Sequence, residues 1–270
     1  MLRSPVFGQF ARRGYKILTK PPPVPITTAL TRVCTEAPFA KFDETIVLQL
    51  QLTLDPRKPG QNMKHSVVLP NGSGKTTKVL VLTSDESQRS AAVSLGAIAP
   101  YDTLEDAVRV VTEESDLSIF SGVDKIICQP ADMRFLGGLG RILGPRGLMP
   151  NPKLGTVTND IVKAVSNSMK GEVVVKTAKD GGVDIVVGKV SMGYSKLKKN
   201  TQAVLQSISA SKPSEGKGVK SGLGFWKKAY ISRTMGGYGR EVEVATVDPA
   251  NARYFRGGEE GVDKGGEEAA

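Results

Sequence analysis

The stretch GGLGRILGPRGLMPNPKLGTVT, residues 137–158, decides how the rest of the chain is interpreted. It contains three prolines, each of which fixes its own φ and disfavours helical geometry at the residue before it. We therefore expect residues 144–155 to form a rigid, extended loop. Three cations lie on or beside this loop: Arg141, Arg146 and Lys153. A stiff cationic loop favours a negatively charged partner, and the alternative is a proline-rich connection between domains.

The composition indicates a folded protein with an acidic partner. The 270 residues are 39% hydrophobic and carry a net charge of +10. A basic excess of this size favours nucleic acid, although a solvated lysine face would explain part of it. Cys34, Cys128 and His65 cannot supply a four-ligand zinc site, and no apolar run approaches the roughly 18 residues of a membrane span. We predict no metal, no cofactor and no membrane partner.

The beginning of the chain has the composition of a targeting segment. The first 35 residues contain six lysines and arginines but no acidic residue. Leu2, Val6 and Phe10 recur every four residues, which predicts an apolar helical stripe. These features are typical of a mitochondrial transit peptide and favour the mitochondrion over the chloroplast. We assign residues 1–37 to a transit peptide and a proline-rich linker, and the alternative is a disordered basic arm that binds RNA.

The hydrophobic pattern predicts two kinds of strand. Residues 45–55 alternate between apolar and polar side chains, which indicates a strand with one buried face. Residues 78–83 and 123–128 are short apolar runs, as expected for strands covered on both faces. Helices are expected after Ser84, from Thr103 and after Gln129. Strand, helix, helix, strand, helix is typical of a small parallel α/β domain.

The second half of the chain returns to a mixed pattern. The predicted elements are a helix over 160–169, strands over 172–177 and 183–187 joined by a hairpin turn at 178–182, a helix over 195–207 and a strand over 226–232. The simplest architecture is a discontinuous α+β domain with an inserted α/β domain, Rossmann-like with a parallel sheet.

This architecture sets the expected boundaries. The α+β domain would comprise residues 38–72 and 165–250, and the inserted α/β domain residues 73–164. Residues 251–270 would form a disordered tail, because they are too rich in glycine and glutamate to bury a core. The two chain crossings, near residues 72–74 and near Thr158, would form a hinge.

The segment NGSGKT at residues 71–76 suggests an alternative function. A phosphate-binding loop requires a glycine where Leu69 stands, and the loop should open a helix, whereas a strand is expected here. A nucleotide-binding α/β enzyme that uses Lys75 is therefore the alternative. The sequence has one histidine and no Gly-x-Ser-x-Gly nucleophile elbow, so the residues needed for acyl transfer are not evident. We therefore predict a binding protein and not an enzyme.

The motifs together resemble a known family. Residues 141–157, from RILGPRGLMPNPK to GTV, resemble the central signature of the ribosomal protein L-one family, which builds the mobile stalk of the large ribosomal subunit. Shorter motifs follow the family's order: AKF at 40–42, DPRK at 55–58, QN at 61–62, LP-x-G-x-G at 69–74, KG at 170–171, GK at 188–189 and S-x-TMG at 232–236. The resemblance covers about residues 38–245, agrees with the expected architecture, and with the leader indicates the mitochondrial form.

The resemblance implies that the first domain binds the ribosomal RNA of the stalk. Carried over by position, the RNA-binding residues would be Lys41, Phe42, Glu44, Lys64, Lys179, Ser232, Thr234, Met235 and Gly236. Hydroxyls would bond to phosphates and 2′-hydroxyls, and Phe42 and Met235 would contact sugars and bases. The alternatives are that Phe42 and Met235 fill the core and that Glu44 pairs with a lysine.

The resemblance also implies a moving stalk. The stalk swings as deacylated transfer RNA leaves the ribosome, so E-site tRNA is a second expected partner, and other ribosomal proteins would be neighbours. The loop of Arg141, Arg146 and Lys153 would meet that tRNA or the domain interface. Two positions depart from the family's pattern, Ala178 beside the hairpin lysine and His65. Binding to the protein's own message is left open.

Overall fold

The computed structural model describes residues 22–35, 41–58, 60–99, 120, 122–213, 222–235 and 239–256. Several predicted features lie outside the described residues: the apolar stripe from Leu2 to Phe10, the helix from Thr103, Gly236 and most of the C-terminal tail. Among the described residues, no helix is long and apolar enough to cross a lipid bilayer. The same residues contain no group of three potential metal ligands.

The elements have the following bounds. The strands are β1 (Thr45–Leu52), β2 (Lys64–Val68), β3 (Val79–Leu82), β4 (Lys125–Cys128), β5 (Glu172–Lys176), β6 (Gly182–Lys189), β7 (Trp226–Arg233) and β8 (Arg240–Val242). The α-helices are α1 (Ile26–Thr35), α2 (Glu86–Ser94), α3 (Met133–Leu136), α4 (Gly140–Leu143), α5 (Ile161–Met169) and α6 (Gly193–Ala210). Short 3-10 turns occur at Pro152–Leu154, Val190–Met192, Gly222–Phe225 and Val244–Thr246.

The largest sheet has the strand order β6-β1-β7-β8, and its neighbouring strands are antiparallel. In β1, Ile46 and Leu52 are buried whereas Gln49 is exposed, which confirms the half-buried strand predicted over 45–55. Helices α1 and α6 pack against the sheet and against each other. The buried residues of α6 recur at helical spacing: Leu197, Asn200, Thr201, Val204, Leu205 and Ile208.

The hairpin predicted at residues 178–182 is wrong. The tight turn itself forms, since the Gly181 amide donates to the Ala178 carbonyl at 3.0 Å. However, β5 pairs with β2 in a separate two-stranded sheet, and β6 pairs with β1. The turn therefore carries the chain from one sheet to another, because a turn sequence sets local geometry but does not choose the strand partner.

The middle of the chain contains a parallel pair of strands. β3 and β4 pair in register from Val79 opposite Lys125 to Leu82 opposite Cys128. Hydrophobic clusters cover both faces, with Leu136 and Leu143 on one side and Ile161 and Val165 on the other. The two apolar runs are therefore strands buried on both faces, as predicted. Burial raises the pKa of the Cys128 thiol to about 12, as expected for a cysteine that acts as a small core residue.

Both predicted terminal boundaries need correction. Residues 26–35 are a helix and not a linker, and they bury Ile26, Leu30 and Val33 in the core of the main sheet. At the other end, residues 251–256 return to this core, where Phe255 is 9% exposed. The reason is a helical apolar stripe at positions 26, 29, 30 and 33 that the basic, acid-free composition obscured.

The predicted boundary at residues 164–165 also falls in the wrong place. Helix α5 spans it without a break and packs on β3 and β4 through Ile161 and Val165. After α5 the chain enters β5, which pairs with β2, and Gly171 lies against the backbone of Gly72. Gly171 therefore lies against the first predicted crossing at residues 72–74.

His65 connects β2 to helix α6 and makes the stability depend on pH. Its Nε2 atom lies 3.1 Å from Ser207 Oγ, and burial lowers the pKa of the imidazole below its ordinary value of 6.5. The unfolded chain therefore binds more protons near pH 6 than the folded chain does, and stability falls as the pH drops below 6.5. We expect urea midpoints to be flat above pH 7 and to fall below it, with a shallower fall in His65→Gln. Equal pH profiles for both proteins would contradict this.

Candidate nucleic-acid interface

Two separate segments of the chain emerge at one edge of the main sheet. β1 starts at Thr45 and the antiparallel β7 ends at Arg233, which lies opposite Ile46. The backbone amide and the hydroxyl of Thr234 both donate to the Thr45 carbonyl, each at 3.1 Å. Residues 41–44 and 234–235 are thus held side by side. We call these two segments the sheet edge.

The sheet edge presents two large apolar side chains to solvent. Met235 is 59% exposed and Phe42 is 53% exposed, the two highest values for large hydrophobic residues in the described part of the chain. Neither side chain fills the core, so the core alternative left open by the sequence is wrong for both. Apolar side chains exposed together beside polar groups are typical of a contact surface.

Glu44 does not lie on this surface. It is 1% exposed, and its Oε2 atom lies 3.5 Å from Nη1 of the buried Arg233. Its predicted surface position is therefore wrong, and the partner described for it is an arginine. The Arg233 guanidinium also donates to the Val33 carbonyl in helix α1. The residues that alternate with Glu44 along β1 face the core, so an acid here can only be accommodated with a buried partner.

Two residues were not predicted from the sequence as part of the site, one in the sheet edge and one beside it. Asp43 accepts hydrogen bonds from Ser191 through both oxygens, from the hydroxyl at 2.6 Å and from the amide at 3.2 Å. These hydrogen bonds hold the pKa of the Asp43 carboxyl below its ordinary value, and the charge of Lys189 lowers it further. Lys189 lies opposite Thr45 in β6. Only the GK motif at 188–189 gave a signal for this cation.

Two of the predicted lysines lie at the other end of β1. The turn of Lys179 approaches that end, because Gln51 donates to the Asp180 carbonyl at 2.7 Å. Lys64 begins β2 and lies opposite Lys176, close to the same turn. Since a strand rises about 3.3 Å per residue, this group lies roughly 20 Å from Thr45. We call Lys64, Lys176 and Lys179 the basic end.

The outer face of the main sheet connects the sheet edge to the basic end. Ser232 lies opposite Val47 on this face, and Tyr230 and Lys228 follow it at two-residue spacing along β7. Lys228 is exposed, and Tyr230 and Ser232 are half-buried. The predicted RNA-binding residues therefore form two groups joined by a polar face, apart from Glu44, which is buried, and Gly236, which lies outside the described residues.

The stretch 137–158 is more compact than predicted. Helix α4 occupies Gly140–Leu143, a turn follows, and Pro152–Leu154 forms a 3-10 turn that Asn151 caps by accepting from the Lys153 amide at 2.9 Å. The expectation of an extended loop over 144–155 is therefore wrong. Proline suits the first turn of a helix as well as an extended segment, and the local sequence did not separate the two. The three cations of this stretch are exposed: Arg141, Arg146 and Lys153.

The lysine of the segment at residues 71–76 forms an ion pair within the protein. Lys75 Nζ lies 2.5 Å from Asp124 Oδ1, and Asp124 Oδ2 accepts from the Lys78 amide at 3.1 Å. The hydrogen bond from Lys75 lowers the pKa of Asp124. The loop therefore ties β3 to the start of β4, and it leads into a strand instead of a helix.

Comparison of the sequence with those of known protein families shows the family of this chain. Residues 34–237 match the sequence profile of the ribosomal protein L1p/L10e family. The chain belongs to this family. The matched region spans both segments of the sheet edge, the basic end and the stretch 137–158. The fold is a mixed α/β fold with several sheets, as this family membership implies.

Three similar L1p/L10e proteins are bacterial, and each is named large ribosomal subunit protein uL1. That of Bordetella pertussis is 37% identical over 83% of this chain and 90% of its own length. That of Dichelobacter nodosus is 39% identical over 80% of this chain and 87% of its own length. That of Thermosipho africanus is 43% identical over 77% of this chain and 84% of its own length. The resemblance seen in the sequence is confirmed. The alternative of a nucleotide-binding enzyme finds no support among these ribosomal proteins.

Proposed function

We propose that this L1p/L10e protein is a structural constituent of the large ribosomal subunit that binds the ribosomal RNA of the stalk through the sheet edge. The observation that carries the proposal is the joint exposure of Phe42 and Met235 on segments fixed to each other through Thr234 and Thr45. Structured RNA is recognised largely by shape, so a preformed surface with apolar and polar groups suits it.

The chemistry of the sheet edge matches the groups of a folded RNA. Phe42 and Met235 offer apolar contact to bases and sugars, which accept such contact in any sequence. Lys41 and Lys189 are cations for phosphate oxygens. The Thr234 hydroxyl donates its proton to the Thr45 carbonyl, so its lone pairs can accept from a 2′-hydroxyl. The outer sheet face and the basic end would extend this contact along the same RNA.

We propose that the main sheet and the middle of the chain are separate domains. The support is the division of the hydrophobic core into one cluster from residues 26–69 and 175–255 and two clusters within residues 79–165. The revised insert would run from residue 73 to about 170. In this arrangement, Arg141, Arg146 and Lys153 would meet the E-site tRNA and assist its release as the insert swings.

We further propose a mitochondrial location, supported by the basic, acid-free leader. Because Val24 pairs with Val242 and helix α1 packs in the main core, a removable leader would end before Val24. Residues 1–25 fused to a fluorescent protein should therefore enter mitochondria, and the same fusion with Arg12→Glu and Arg13→Glu should remain outside. An imported acidic variant, or a wild-type fusion that stays outside, would overturn the proposed location.

The RNA site is tested by one charged substitution in the sheet edge. Met235→Asp removes an apolar contact and places a negative charge against phosphates, so the dissociation constant for a stalk rRNA transcript should rise about 10- to 100-fold. The matched control is Val93→Asp in helix α2, where the side chain is 49% exposed. Fluorescence anisotropy at fixed salt measures both. Equal affinities for Met235→Asp and the wild-type protein would contradict the assigned site.

A further inference from the structure

A buried ion pair lies directly beneath the sheet edge. The side chains of Glu44 and Arg233 are 1% and 3% exposed, and the Nη1–Oε2 distance is 3.5 Å. Removing two charges from water is so costly that apolar residues of similar volume often stabilise a fold as well or better. Stability alone therefore gives a weak reason for an ion pair at this position. The pair instead fixes the relative orientation of its two segments, because the planar guanidinium forms hydrogen bonds only in certain directions.

The pair joins three elements at one point. Glu44 lies immediately before β1, Arg233 is the last residue of β7, and the Arg233 guanidinium also bonds to the Val33 carbonyl of α1. Each member is two residues from an exposed apolar residue, since Phe42 precedes Glu44 and Met235 follows Arg233. Any shift of one strand end relative to the other would change the spacing of these two side chains.

We propose that Glu44 and Arg233 are the positioning residues of the RNA site. The ion pair fixes the segment of Phe42 relative to the segment of Met235, so that both meet the RNA at once without being ordered during binding. Both side chains are buried, so neither contacts the RNA itself. The inference rests on the proposed RNA-binding function of the sheet edge.

Two further contacts in the structure fit this role. The double hydrogen bond from Thr234 to the Thr45 carbonyl sets the register of the strand ends. The bonds from Ser191 to Asp43 hold the other segment from its outer side. Together with the ion pair, these hydrogen bonds restrain both segments that carry the apolar side chains.

The test replaces both charges at once. In Glu44→Met with Arg233→Met, the two side chains keep similar volumes and neither of these two charges is left facing the other's apolar replacement. The protein should stay folded by circular dichroism, while its affinity for the stalk rRNA transcript falls about 10-fold, mainly through faster dissociation. The slope of log K against log salt should not change, because no phosphate contact is removed.

A second ion pair provides a matched control. Lys125 Nζ lies 2.8 Å from Glu172 Oε2, and these side chains are 15% and 10% exposed, but the pair connects β4 to β5 and contains no residue of the sheet edge. Lys125→Met with Glu172→Met should therefore keep the wild-type RNA affinity. Lys41→Met shows the contrasting behaviour of a phosphate contact, with a salt slope smaller by about 0.7–0.9.

The outcomes separate the inference from the proposed function. Wild-type affinity in the folded Glu44–Arg233 double variant, or a reduced salt slope, would overturn the positioning role. If the wild-type protein binds the transcript no better than an unrelated RNA of equal length, the proposed function itself fails. If the double variant does not fold, Arg233→Lys decides, because lysine cannot bond to Glu44 and Val33 along the same lines. It should weaken binding several-fold, and unchanged affinity there would overturn the inference.

Discussion

Replacing Gly171 with alanine is expected to lower the free energy of unfolding by about 2–5 kcal/mol. Gly171 has a φ of +95°, where a side chain costs roughly 1–2 kcal/mol. An added Cβ would also lie 2.6 Å from Gly72 Cα and 2.7 Å from Ser73 N, and overlap in a packed region costs about 1–3 kcal/mol more. Both contacts are to backbone, so no side chain can rotate away. The backbone at Gly171 and the backbone at residues 72–73 would have to move apart.

Gly60 provides the control for this substitution. Its φ of +84° is similar, but an added Cβ would meet nothing within 4 Å. Gly60→Ala should therefore cost only the conformational part, about 1–2 kcal/mol. Urea denaturation followed by circular dichroism compares the two variants. Equal losses of unfolding free energy in the two variants would mean that Gly171 does not pack closely against Gly72 and Ser73.

The local elements were predictable because their patterns are local. In β1 one face is buried, so the sequence alternates, and β3 and β4 are buried on both faces, so it does not. Helix α6 repeats its core residues at helical spacing over 18 residues. In each case the burial that shapes the sequence is imposed along one continuous segment.

Strand partners were not predictable in the same way. The turn at residues 178–182 joins β5 to β6, yet β5 pairs with β2, more than a hundred residues earlier in the chain. Pairing depends on which strand end lies nearby in space, and a single sequence contains no direct signal of this. The same limit hid the return of Phe255 to the main core.

The proposed RNA site illustrates both what the sequence could predict and what it could not. Resemblance identified the sheet-edge residues Thr234 and Met235, which form one short motif. It did not reveal that Glu44 is buried, because its partner Arg233 belongs to a distant strand. Nor did it identify Asp43, whose partner Ser191 is equally remote in sequence. A residue that holds a site together is recognised by its partner, and partners are set by tertiary structure.

The buried side chain of Asn200 is expected to contribute strongly to the stability of the fold. Its Oδ1 accepts from the Asn71 amide at 3.1 Å, and its Nδ2 donates to the carbonyls of Gly72 at 2.9 Å and Val187 at 2.8 Å. The side chain is fully buried. It therefore fixes the loop before the first crossing to both helix α6 and strand β6. Leucine fills a similar volume but offers no hydrogen bond.

Asn200→Leu should lower the free energy of unfolding by about 3–5 kcal/mol, since each buried backbone group left without a partner costs roughly 1–3 kcal/mol. Gln206→Leu is the matched control, an amide-to-leucine change at an exposed position of the same helix, and should stay within about 0.5 kcal/mol of wild type. Hydrogen exchange adds a local measurement, because the Asn71 amide should lose its protection first. A loss of less than about 1 kcal/mol, with the Asn71 amide still protected, would show that the loop is held by other contacts.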